Sequence, residues 1–159
     1  MFAIPIIQFV IFTSYILYVY YRFGVLNSIS ESWYKLQTIK QSYLFTLFCF
    51  GIGFLMLFNG SDQSPFYFLS GAGLGFTGAA AAFKSKGAYT DIIHMVGAAF
   101  AILFGSIGLW YEFGIYIPFV IILLTGILTY LIKIKNSTWW FEIISFAILI
   151  IGVFLSKML

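Results

Sequence analysis

Six long apolar runs, separated by short polar loops, decide what this chain can fold into. They lie near residues 2–21, 43–59, 65–83, 92–111, 113–132 and 139–156. Each approaches the roughly 20 apolar residues that cross a bilayer's hydrocarbon, the second and sixth being slightly short. In lipid every backbone donor and acceptor has to be satisfied within its own segment, which favours helices. A transmembrane barrel needs short segments of alternating apolar and polar residues, and these runs do not alternate. The expectation is an all-α fold: a polytopic integral membrane bundle of six transmembrane helices, a single transmembrane domain over residues 1–159.

Composition leads the same way. Only 8% of residues are charged and 62% are hydrophobic, against about 25% charged in a soluble domain. The net charge of +3 comes without a basic run or a soluble face to carry one, which argues against nucleic acid as a partner. The expected partners are the lipid bilayer, a small ligand, lipid or ion, and further copies of the chain in a homo-oligomer. The single cysteine, Cys49, sits in an apolar run and reads as a small buried hydrophobe.

The opening "MFAIPIIQFVIFTSYILYVYYRF" lacks a basic leader and a small-residue cleavage site, so it reads as a retained first span. Arg22, Lys35 and Lys40 follow span one, Lys84 and Lys86 span three, and Lys133 and Lys135 span five. The alternate loops, "NGSDQSP" and "YEFG", contain no lysine or arginine, and only Lys157 opposes the pattern. Positive loops stay inside. The chain is therefore expected in the cell membrane with both termini extracytoplasmic and residues 23–42 in the cytoplasm. Within that loop, Trp33, Tyr34, Leu36 and Ile39 approximate one face of a short interfacial helix, with Asn27 or Ser28 as its cap.

Three- and four-residue steps place small or polar residues on one face of every span. Span three has Ser70, Gly73, Thr77, Ala80 and Lys84; span four has Asp91, His94, Ala98, Ala101 and Gly105. Span six has Glu142, Ser145, Leu149, Gly152 and Ser156, and span five Pro118, Ile122, Thr125, Thr129 and Lys133. Span two offers Thr46, Cys49, Gly53 and Met56, and span one Gln8, Tyr15, Tyr18 and Arg22. These stripes should face inward. Gly71, Gly75 and Ala79 add a second small-residue face to span three, where close helix packing is the structural role of such residues in lipid.

Lys84, Asp91, His94 and Glu142 gather at the cytoplasmic ends of spans three, four and six under this topology. Asp91 and His94 share a helical face. A carboxylate beside an imidazole orients it and supports proton transfer, whereas Asp91 as a cap and Lys84 reaching the headgroups are the plainer roles. Glu142 at that depth calls for a partner, with Lys84 the expected one. The chain's one histidine has no histidine or cysteine companions, which excludes the usual zinc sites, so no metal and no cofactor are expected.

The string "GVLNSISESWYKL", then "FLSGAGLGFTGAAAAFK" and "IHMVGA", resembles a group of small multi-pass membrane proteins of bacteria and their viruses. The matching positions are Ser28, Ser30, Ser32 and Tyr34, then Gly71, Gly73, Gly78, Ala79, Phe83 and Lys84, and finally His94, Gly97 and Ala98. The resemblance covers about the middle half of the chain and implies no activity. It implies that loop one and spans three and four work together.

Three functions remain open. In the first, His94, Glu142, Asp91, Lys84 and Thr77 line a cytoplasm-facing polar cavity that binds or passes a small ligand, lipid or ion. In the second, Ser28, Ser30 or Ser32 is the nucleophile of a membrane-embedded hydrolase or transferase, with His94 and Asp91 completing a triad. The third is an interaction or structural subunit. A polar pocket holding His94 and Glu142 favours the first, and a serine hydroxyl at His94 favours the second.

Overall fold

The chain has no strand and seven helices among the described residues, which in this computed structural model are 3–82, 88–132 and 135–158, without the side chains of 59–63, 88–91 and 130. They are α1 (Ala3–Phe23), α2 (Glu31–Thr38), α3 (Tyr43–Gln63), α4 (Pro65–Ala82), α5 (Ala88–Phe113), α6 (Ile117–Ile132) and α7 (Ser137–Ser156). Among the described residues, three segments are long and apolar enough to cross a membrane: α1, residues Ile92–Phe113 of α5, and α7, with 21, 22 and 20 residues. Tyr43–Phe58 of α3 and Ile117–Thr129 of α6 are shorter apolar stretches. Large side chains such as Phe54, Phe76, Met95 and Leu131 stand exposed on the outer surface, an arrangement compatible with a membrane protein.

Local sequence explains the boundaries. The polar segment expected as a loop after span two instead continues α3 to Gln63, leaving Ser64 alone between α3 and α4. Ser64 Oγ accepts the Tyr67 amide at 3.2 Å and Pro65 opens α4, the pairing of a serine cap with a first-turn proline that starts helices well. The α5 end turns at Gly114, φ +67°, where Ile115 N–H donates to Leu109 O at 2.9 Å and closes the helix.

Two seams organise the packing. Between α1, α3 and α7 the filling is aromatic: Tyr15 stacks on Phe48 at 4.2 Å between ring centroids, and Phe12 meets Phe48 and Phe146. Around α4 the filling is backbone, and its contacts with α3 and α5 are the most extensive in the fold. A Cβ on Gly71 would lie 2.5 Å from Gly53 O, and one on Gly73 would lie 2.6 Å from Gly97 O. The inward stripe of span three holds, since Ser70, Gly73, Thr77 and Ala80 are all buried.

Two expectations need correcting. A Cβ on Gly75 would meet nothing within 4 Å, so the second small face of α4 packs through Gly71 and Gly78, not through Gly75. The α1 stripe runs through Pro5, Gln8, Phe12, Tyr15 and Val19, which leaves Tyr18 and Arg22 exposed. A straight helix turning every 3.6 residues carries the face from Tyr15 to Val19.

Candidate functional site

Residues 24–30 form a strap from α1 to α2, and its route is set by α7. Asn136 Nδ2 donates to Val25 O at 3.4 Å, Trp139 N–H to Asn27 O at 3.0 Å, and Ile29 N–H to Glu142 Oε2 at 2.5 Å. Alternate strap residues thus meet every third residue of α7. Asn136 is the α7 N-cap, with φ +59°, yet its side chain makes no capping bond. Asparagine tolerates that left-handed conformation, and here its amide ties down the strap.

Ser30 behaves in the same way. It is the N-cap of α2 and makes no side-chain capping bond, although serine in that position is ordinarily worth about 1 kcal/mol as a cap. The expected cap was Asn27 or Ser28, two or three residues earlier; Ser28 Oγ does accept the Glu31 amide, at 3.1 Å, although the N-cap position is Ser30. Ser30 Oγ lies instead 2.5 Å from His94 Nε2, across 64 residues of chain. The imidazole stacks on Phe45, centroids 5.7 Å apart and planes at 27°, which fixes its tilt.

The three serines of the loop therefore have three roles. Ser32 is fully buried; its hydroxyl donates to Ile29 O at 2.5 Å and, with its hydrogen spent, accepts from Tyr15 OH at 2.5 Å. Ser28 caps. Only Ser30 presents its hydroxyl to the histidine, and sequence alone could not choose among the three.

Of the other expected site residues, Thr77 reaches the backbone of His94, not its ring: its hydroxyl lies 3.0 Å from Gly73 O and 3.4 Å from His94 O. Asp91 lies on α5 one turn before His94, with its side chain outside the described residues. Lys84 also lies outside them. Glu142 Oε2 accepts from the Ile29 amide at 2.5 Å, and its expected pairing with Lys84 falls outside the described residues. His94 and Glu142 thus engage consecutive residues, Ser30 and Ile29, from two different helices.

No cluster of three potential metal ligands occurs among the described residues. A groove of about 370 Å³ lies on the outer side of the α4/α5 crossing, lined by Phe76, Ile92, Ile93, Val96 and Phe100 over Gly73 and Gly97. It is apolar and includes neither Ser30 nor His94. Deeper in the fold, Gln8 Oε1 and Ser145 Oγ are buried with no hydrogen-bond partner among the described residues. Comparison with known protein families, curated proteins and solved structures finds no match.

Proposed function

We propose that this chain is a multi-pass membrane protein, with six crossings, that acts as a hydrolase or transferase through Ser30 and His94. The observation that carries the reading is the 2.5 Å approach of Ser30 Oγ to His94 Nε2 by a serine that forgoes its helix cap. A hydroxyl at an imidazole nitrogen is the arrangement of an activated nucleophile. With Nδ1 carrying the ring proton, Nε2 takes the hydrogen of Ser30 as Oγ attacks an ester or amide carbonyl. The proton then passes to the departing alcohol or amine, leaving the acyl group on Oγ. Water or an acceptor alcohol, activated by the same nitrogen, releases it. Asp91, one turn before His94, is the candidate for orienting the ring.

An alkyl fluorophosphonate tests this without knowledge of the substrate. Ser30 Oγ would displace fluoride and form a bond to phosphorus, its hydrogen passing to His94. Peptide mapping should find the label on Ser30 and not on Ser28 or Ser32, and Ser30→Ala and His94→Gln should abolish it. An unlabelled Ser30 in folded protein, or undiminished labelling in His94→Gln, overturns the reading.

A second reading has its own support. Gln8 Oε1 and Ser145 Oγ, without a hydrogen-bond partner among the described residues, are polar groups inside a membrane protein, where such groups mark ligand or ion paths. On this reading the cluster from Glu142 inward binds or passes a small ligand, lipid or ion. It predicts flux in reconstituted vesicles whose pH dependence disappears in His94→Gln. Lysine and arginine placement supports the same orientation for both readings, with residues 23–42 cytoplasmic and both termini outside. Cysteine at Thr38 should resist an impermeant thiol reagent applied to intact cells, and cysteine at Tyr116 should react; the reverse result inverts the topology.

A further inference from the structure

We infer that Glu142 is a positioning residue that sets Ser30 against His94 through the Ile29 amide. The inference rests on the Ser30–His94 reading above and adds to it the group that holds the pair in register. Three ties bind the strap to α7, at Val25, Asn27 and Ile29. The last is the shortest, at 2.5 Å, and the only one of the three made by a carboxyl side chain. It acts on the residue adjoining Ser30. Ile29 is itself buried, with 3% of its surface exposed, so an unpaired amide there would find little water in compensation.

The local bonds of the loop do not fix the same coordinate. Ser28 and Asn27 both close onto Glu31, within the loop and α2. They shape the turn but do not tie it to another helix. Ser32 anchors the far side to Tyr15 of α1. His94 is held separately, on α5 against Phe45 of α3. The distance between nucleophile and base is therefore a distance between parts carried by different helices, and Glu142 supports the serine side at the nearest peptide.

The chain's single histidine makes the test direct, because its ¹⁵N-imidazole spectrum in nanodiscs has one source. Glu142→Leu removes the acceptor and should move the His94 resonances to where Ser30→Ala puts them. Glu142→Gln keeps a carbonyl oxygen in the same place and should leave them near those of the parent. Fluorophosphonate labelling of Ser30 should fall by about a hundredfold in the leucine variant, as an ångström of misplacement can cause, and recover in the glutamine variant. Should the leucine variant fail to fold, Glu142→Asp, which retracts the carboxylate by one methylene, should still shift the His94 signal. Folded Glu142→Leu or Glu142→Asp with the parent's spectrum overturns the inference. If the spectra shift as expected but the parent's Ser30 never labels, positioning stands and the catalytic reading fails. If the parent labels and no Glu142 variant changes the spectrum or the rate, positioning fails alone.

Discussion

The seam between α3, α4 and α5 and the strap between α1 and α2 are held by opposite means. In the seam, glycines remove side chains so that backbones touch; a Cβ on Gly71 or Gly73 would come within 2.6 Å of a neighbouring carbonyl oxygen. In the strap, polar side chains reach across gaps, and two N-cap residues, Ser30 and Asn136, forgo their capping bonds. The first arrangement gains chiefly from close van der Waals contact between backbones, with the Ser70 bond to Ala101 O beside it. The second gives up local helix stability to place particular atoms. A region that sacrifices stability for position is where function is sought.

Overpacking the seam should have the largest effect. Gly73→Leu would drive its side chain into Gly97 O and Ala101 N, at 2.6 and 2.8 Å from the new Cβ. Both are backbone atoms, so α4 and α5 have to separate. Thermal unfolding in detergent should show a loss above about 3 kcal/mol, beyond the usual range for an overpacked core, or no folded protein. Gly71→Leu should behave alike against Gly53 O and Leu57 N. Gly75→Ala is the control: its Cβ has open space, and its change should stay within about 0.5 kcal/mol. Equal melting of Gly73→Leu and the parent would remove one side of the comparison.

The strap should respond in the opposite sense, with small effects on stability and large ones on chemistry. Ser30→Ala deletes a hydroxyl that caps nothing, so its stability cost should stay near about 1 kcal/mol, the net worth of one hydrogen bond. Fluorophosphonate labelling should disappear altogether. Ser28→Ala removes the bond that does cap α2, and should cost about 1 kcal/mol while Ser30 still reacts. If Ser28→Ala and Ser30→Ala prove alike in both measurements, the strap is a structural loop.

These contrasts also mark what was legible beforehand. The inward stripe of α4 followed from helical spacing, because Ser70, Gly73, Thr77 and Ala80 share a face whatever surrounds them. Which glycines touch a neighbour did not follow: Gly73 and Gly75 are two residues apart on a helix that is small on several sides. The short helix α2 and the Ser28–Glu31 bond are local, and a single stretch of sequence outlines them. The choice of Ser30 over Ser32 depends on partners 64 and 17 residues away, and the Ile29–Glu142 tie spans 113. No local periodicity encodes such distances. The Ile29 amide as a partner of Glu142 was not legible either, because charge alone points to a counter-ion such as Lys84 and not to a backbone group.

The smallest effects should come from two buried serines that differ only in their partners. Ser70 and Ser145 are both fully buried in helices. Ser70 donates to Ala101 O at 2.5 Å, joining α4 to α5 at the glycine seam. Ser145 Oγ has no partner among the described residues. Interhelical bonds in membranes average about 0.6 kcal/mol, so Ser70→Ala should cost about that amount. Ser145→Ala removes a buried polar group that makes no described bond and should be neutral or slightly stabilising. Unfolding of the two variants side by side in one detergent cancels most of the common reference. A cost for Ser145→Ala equal to that of Ser70→Ala would mean that Ser145 has a partner after all. Water or an ion in the α7 stripe would supply one, and the interior-path reading would then gain over the serine–histidine reading.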